Sequence, residues 1–355
     1  MTIDAQAQSV HARMRVVDTH DDLLMLCARR PVHLQGAYFR ETWLPQLRAG
    51  GVDVQVLPVF VADEFRPEGA LRQTLRMLET GWRVAAANSD AVRICLTGED
   101  VERALADGLI AIILALEGCE AVGTDVELFE PLFRLGVRIA SFTHFGRTML
   151  ADGSGEDGTG SRLTGAGIDA VAACESLGIM LDVSHLGAAS TDHLLELATR
   201  PVIASHSSAY SVRPHHRNLT DARLRGIAET GGTVGINLLA TFVDHDDHTV
   251  ARAVDHVEHV ASVVGVEHVG LGPDFIKEVL DEIYGPDEDV LLDGVVASTY
   301  IPGLEGPSGL PLITAELIGR GWPEDDIRWV MGGGFSRVLA RELGVPGSSG
   351  VRRDA

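Results

Sequence analysis

The chain has 355 residues, 45% apolar and 23% charged, so a large buried core is within reach. Its net charge of −22 repels phosphate backbones and anionic lipid, which argues against nucleic acid or a membrane surface as a partner. Lysine occurs once, at Lys277, so lysine is removed as a candidate ligand or catalyst almost everywhere.

The N-terminal MTIDAQAQSVHARMR has no apolar signal core. Strands are expected at 15–20 (RVVDTH), 52–60, 109–118 (LIAIILALEG), 137–144, 179–185, 201–206 (PVIASH), 232–238 and 268–275. Helical patterns lie between them, the clearest at 70–89, 163–178 and 250–265. Strands this apolar, alternating with helices, point to a parallel sheet buried on both faces. Eight such units predict an α/β fold, a (β/α)8 TIM-like barrel of the metal-dependent hydrolase type. It is expected to form one domain over 1–345, with a disordered tail at 346–355. An open doubly wound sheet is the alternative, weakened by the lack of GxGxxG after the first strand. Cys27, Cys95, Cys119 and Cys174 form no CxxC pair and fit buried thiols in a reduced compartment. No run reaches the roughly 18 apolar residues of a membrane helix. A cytoplasmic protein is expected.

The strands are interrupted by polar residues at one end. His20 and Asp22 close the first, and Glu117, His144, His185, His206 and Asp274 close five others. In a barrel these C-terminal ends meet at one mouth, where barrel enzymes carry their chemistry. A single histidine at a strand end is more often a hydrogen-bonded structural residue. His20-x-Asp22 is stronger, because residues i and i+2 of an extended strand point the same way. The joint pattern is stronger still.

His, Asp and Glu without Cys suit zinc or another borderline divalent metal. Five ligands are too many for one catalytic zinc with an open position. They suit two metals ~3.5–4 Å apart that share a carboxylate. No strand end offers a lysine for the bridge, so Glu117 is the available group. After its apolar run, 109–118 is expected to turn this carboxylate outward.

These residues resemble the membrane (renal) dipeptidases, within the amidohydrolase superfamily. The resemblance lies in DTHDD (18–22), LEGCEAV (116–122), FTHFGRTMLADG (142–153), LTGAGIDAVAACESLGIMLDVSH (163–185), PVIASHSSAYSVRPHHRNLTD (201–221), HVGLGPDF (268–275) and GWPEDDIRWVMGGGFSRVL (321–339). It runs from about residue 15 to 343. It implies a binuclear site with two Zn2+. His20 and Asp22 would hold one ion, His185 and His206 the other, and Glu117 would bridge them. Asp274 would carry a proton from the bridging water to the leaving amine, and His144 would stabilise the oxyanion. Arg217 would bind the C-terminal carboxylate of a dipeptide, with Arg213 as the competing candidate. The substrate expected is a dipeptide with a free carboxylate, including those with a D-residue at the C-terminal side. Homodimers are common among the relatives, so a homodimer is expected. The mammalian relatives carry a signal and a lipid anchor, and neither is expected here.

Asp21 and Gly334 stand where the family usually has asparagine. The 145–162 loop offers Arg147, Asp152, Glu156 and Asp157 instead of an asparagine run. This loop and the acidic segment 276–303 are the places where substrate choice is expected to be set. Rival readings keep the metals but cleave another small amide, an N-acyl amino acid, a lactam or a lactone. A metal-binding barrel without catalysis is a further rival, disfavoured by Asp274. Asp18 is placed to orient ligands from outside the metal shell. The cluster VDHDDHTV (243–250) reads as a solvated loop before a helix. His193, His215, His216, His256, His259 and His268 read as surface or packing residues. Cys119, Ser207 and Ser208 need no nucleophilic role.

Overall fold

The computed structural model describes residues 4–285, 291–292, 295–296 and 299–347. Its main sheet is built from β1 (Val16–Asp18), β2 (Val52–Phe60), β3 (Val92–Ile94), β4 (Ile110–Glu117), β5 (Val137–Ser141), β6 (Met180–Asp182), β7 (Val234–Ile236) and β8 (Val269–Leu271). All pairings in this sheet are parallel, in the order β6-β5-β4-β2-β1-β8-β7. β3 adds to the first half of β4, ahead of β5 on the same edge. The result is a mixed α/β architecture around a curled parallel sheet.

Every residue of β4 is buried, because both faces of the sheet are covered. Its period-two alternation divides it between two cores. Ile112, Leu114 and Leu116 join Trp43, Met77 and Phe129. Ala111, Ile113 and Ala115 join Val17, Val54, Ile139 and Phe335. The flanking helices start where the sequence supplies caps. Thr97 accepts from the Asp100 amide while the Asp100 side chain accepts from that of Thr97, and Thr164 and Thr249 cap Gly165–Leu177 and Val250–Val264.

The expected strands at 137–144, 179–185 and 268–275 end earlier, at Ser141, Asp182 and Leu271. Short carboxylate turns help to stop the ladder. The His20 amide donates to Asp18 Oδ1 (3.0 Å) and the Ser184 amide to Asp182 Oδ1 (2.9 Å). The expected strand at 201–206 is absent as a strand. Only isolated bridges remain, Ile203 to Asp182 and Ala204 to Val234. Beyond them the Ser205 and His206 amides donate to Asp182 Oδ1 (2.9 Å) and Ser184 Oγ (3.0 Å), so the sheet loses those donors. β3 was not anticipated, since three residues are too few to show a pattern. Of the tail expected at 346–355, residues 348–355 lie outside the described residues. No helix among the described residues is long and apolar enough to cross a membrane.

Candidate metal centre

Glu117 is the last residue of β4 and only 4% exposed, so the carboxylate expected to turn outward is buried. It is kept company by imidazoles. Its Oε1 lies 3.0 Å from His185 Nε2, 3.4 Å from His20 Nε2, 3.7 Å from His206 Nε2 and 4.0 Å from His144 Nε2. His185 Nε2 and His206 Nε2 are 2.8 Å apart.

The remaining groups reach this point through turns rather than strands. β1 stops at Asp18, so His20 and Asp22 sit in the turn after it and not, as expected, side by side on an extended strand. Asp22 occupies the N-cap position of the helix Leu23–Arg29 but caps nothing. A carboxylate there normally accepts an amide of the first turn. His185 (φ 67°) and Asp274 (φ 63°) are the non-glycine residues with left-handed backbone among those described. Such conformations cost roughly 1–3 kcal/mol and cluster at functional sites. Both turns aim a polar side chain at Glu117's surroundings.

The electrostatics are those of crowded acids. Burial raises Asp22 well above the ordinary carboxylate range, with Glu117 adding to it, and burial likewise raises Asp274. Burial opposes charge on His20, but Glu117, Asp22 and Asp274 outweigh it and raise its pKa to about 10. Burial would raise Glu117 too, yet His20 and His185 hold it well below its usual range. Burial pushes His185 and His206 well down and His144 to about 4. Burial raises Asp18, behind the site, to about 7.

Two buried atoms beside Glu117 lack a hydrogen-bond partner, His20 Nε2 and Asp22 Oδ1; His185 Nδ1, Asp18 Oδ2 and Asp21 Oδ2 are also unpaired but lie away from this point. Unpaired buried polar atoms are costly, and this pair, with Glu117, forms one set of potential ligands. Three sets of potential ligand atoms lie within 4.8 Å of one another: His20, Asp22 and Glu117; Glu117, His144 and His185; and His20, His206 and Asp274. The donors are nitrogen and oxygen without sulfur, which suits a borderline divalent cation. The residues therefore fit a metal centre.

Residues not singled out in the sequence complete the surroundings. Ser205 Oγ donates to Asp182 Oδ2 (2.5 Å) and lies 2.8 Å from His206 Nδ1. Its one proton is thus engaged, so His206 Nδ1 donates to it and Nε2 keeps a free lone pair. Asn237, just beyond β7, donates from Nδ2 to Asp274 Oδ2 (2.8 Å). The polar end of the expected strand at 232–238 was the available signal for Asn237.

Arg217 is 3% exposed and donates from Nη2 to His206 O (3.0 Å), while its Nε has no partner. Burial lowers it to about 10, and its guanidinium lies over the rings of Phe145 (5.9 Å) and Phe242 (5.5 Å). Above the centre opens a cavity of about 710 Å3 whose lining includes Asp22, Glu117, His144, His185 and Asp274. Residues of 276–284 line it as well, whereas Arg147 pairs with Asp152 (2.5 Å). Asp21 turns to the Leu23 amide (3.0 Å). Gly334 packs so closely that a Cβ would meet Val269 O at 2.4 Å, which leaves no room for asparagine there.

The other polar clusters are structural. Asp244 accepts from the Asp246 and Asp247 amides and from Arg252 Nε, so 243–250 is a capped turn. His256 accepts from the Ala209 amide and donates to Val243 O, His259 meets Asp221, and His268 meets Gly232 O. Cys119 is a buried thiol whose pKa burial drives well up.

Residues 4–287 match the profile of the membrane dipeptidases, peptidase family M19. The chain belongs to this family. Among the membrane dipeptidases and their relatives, the dipeptidase verJ of Clonostachys rogersoniana is 31% identical over 271 residues, covering 76% of this chain and 65% of its own length. This chain therefore spans just under two thirds of verJ. The uncharacterized dipeptidase C965.12 of Schizosaccharomyces pombe is 30% identical over 308 residues, 78% of this chain and 74% of its own. A metallo peptidase from Rhodobacter sphaeroides, solved with a phosphinate mimic of the dipeptide L-Ala-D-Ala, superposes with a TM-score of 0.81 at 26% identity. The superposition covers 93% of this chain and 99% of that one.

Proposed function

We propose that this membrane-dipeptidase relative is a metal-dependent dipeptidase. It hydrolyses the peptide bond of dipeptides with a free C-terminal carboxylate, those with a D-residue at the C-terminal side included. One observation carries the proposal: four imidazole Nε2 atoms stand within 4.0 Å of the single oxygen Glu117 Oε1. The dipeptide mimic held by the Rhodobacter sphaeroides relative supports the substrate class.

Two zinc ions suit the donors. His20 and Asp22 would hold one, His185 and His206 the other, with Glu117 between them. Bound there, the ions would polarise the scissile carbonyl and acidify the attacking water. Asp274, steadied by Asn237, accepts the water's proton and returns it to the leaving amine. His144, on the cavity wall, donates to the developing oxyanion. Arg217 anchors the terminal carboxylate, for which a planar guanidinium is well shaped.

For the scaffold we adopt the closed (β/α)8 barrel over residues 1–345, in which the bridges at Ile203 and Ala204 join β6 to β7. The four free, buried cysteines favour a cytoplasmic setting. A homodimer completes the proposal.

The test is an assay of zinc-loaded protein on L-Xaa-L-Xaa and L-Xaa-D-Xaa dipeptides beside N-acyl amino acids, lactams and lactones. Dipeptide turnover abolished by a chelator is expected. Turnover confined to the other classes would overturn the proposal.

A further inference from the structure

We infer that the substrate dipeptide carries a large apolar side chain, received in a lobe of the cavity beside the metal centre. This deepens the dipeptidase proposal and rests on it. The cavity of about 710 Å3 lies well up the range of roughly 300–1,000 Å3 typical of pockets for drug-sized ligands, and two residues with the smallest side chains would leave much of it empty.

Three helices line the lobe with apolar groups. Met25 and Ala28 come from Leu23–Arg29, Met77 from Ala70–Ala87, and Val279, Leu280 and Ile283 from Lys277–Tyr284. The helix Leu23–Arg29 packs against both of the others. The spacings 25/28, 280/283 and 279/283 put each helix's contribution on one face. Asp22 and Met25, three residues apart, line the same cavity, so the lobe adjoins the metal centre.

Of the charges on these helices, Arg29 also lines the cavity, and it is paired with Glu282. Glu282 takes Arg29 Nε (3.3 Å) and also Arg30, Lys277 Nζ lies 2.5 Å from Asp281, and Glu278 accepts from Gln46 (2.8 Å). Further polar lining comes from Asp63, Glu64, Arg66 and Gln73; Arg66 Nη1 pairs with Asp63 (2.9 Å) and Glu120 (3.3 Å), while its buried Nη2 has no partner. The two methionines give the lobe an adaptable wall that suits branched or aromatic groups. A polar side chain packed against these apolar residues would shed water there, whereas the polar lining at Asp63, Glu64, Arg66 and Gln73 offers partners elsewhere in the cavity. The apolar rim at Ile283, 37% exposed in the free protein, gains cover from such a substrate.

The experiment compares kcat/KM for leucine- or phenylalanine-containing dipeptides with that for alanine dipeptides. Affinities of the matching non-hydrolysable phosphinate analogues are measured in parallel. A preference of at least about tenfold for the large side chain is expected in both. Ala28→Phe, which fills the lobe, and Ile283→Glu, which charges its exposed rim, should each draw the ratio toward one in protein whose melting temperature shows it folded. A wild-type ratio at or below one overturns the inference, as does an unchanged ratio in both folded variants. If no dipeptide is turned over, the dipeptidase proposal fails, and the analogue affinities still decide the lobe.

Discussion

Ser205 Oγ lies 2.8 Å from His206 Nδ1, and its own proton goes to Asp182 Oδ2 at 2.5 Å. The imidazole is thereby locked with Nδ1 protonated, and its Nε2 lone pair faces His185 Nε2 2.8 Å away. Two histidines presented this way are poised for a cation rather than for each other.

Ser205→Ala removes the acceptor that holds this tautomer. Metal affinity, measured by competition with a chromophoric chelator, should fall about 10–100-fold. Ser205→Thr, which keeps the hydroxyl, should restore most of it. An alanine variant with unchanged affinity would show that the serine serves packing alone.

Elemental analysis of gently purified protein should find two zinc-like ions per chain, the number that suits a shared carboxylate. Glu117→Gln weakens the oxygen on which four imidazoles converge and should lose metal. Zero or one ion in the wild type, after zinc is supplied, would sink the binuclear centre.

Asp274→Asn keeps the size of the side chain but cannot take a proton. Metal content should persist, while kcat should drop by about 10²–10⁴. Full activity in this variant would remove Asp274 from the proton path.

Arg147 donates to Asp152 Oδ1 at 2.5 Å and, with Thr159, holds this carboxyl below its ordinary range. A depressed folded pKa stabilises the protein above the unfolded value of about 3.9, and that stability disappears as pH falls through the folded value. Asp152→Asn should therefore melt below the wild type at neutral pH, with the gap closing below about pH 4. Melting curves from pH 3 to 7 check this; a constant gap would refute it.

The strands at 52–60 and 109–118 were legible almost to the residue, because long apolar runs survive in any context. The residues that the structure gathers around Glu117, namely His20, Asp22, His144, His185, His206 and Asp274, also stand out in the sequence, since each interrupts an apolar segment. Their local conformation does not. Asp18 and Asp182 intercept the next amides and end β1 and β6 early, and His185 and Asp274 turn through left-handed backbone. A period-two pattern carries no record of such turns.

By itself the sequence determined the alternation of buried strands with helices, the motifs that resemble the membrane dipeptidases, and which acids and imidazoles are candidates. Those are properties of short stretches, set by periodicity and residue chemistry. Only the tertiary structure decided that Glu117 is buried among four imidazoles, that Ser205 and Asp182 set the tautomer of His206, and that Asn237 holds Asp274. It alone assembled the apolar lobe from three helices more than forty residues apart in the chain. Contacts between distant segments depend on how the whole sheet curls and packs, and no local stretch encodes them.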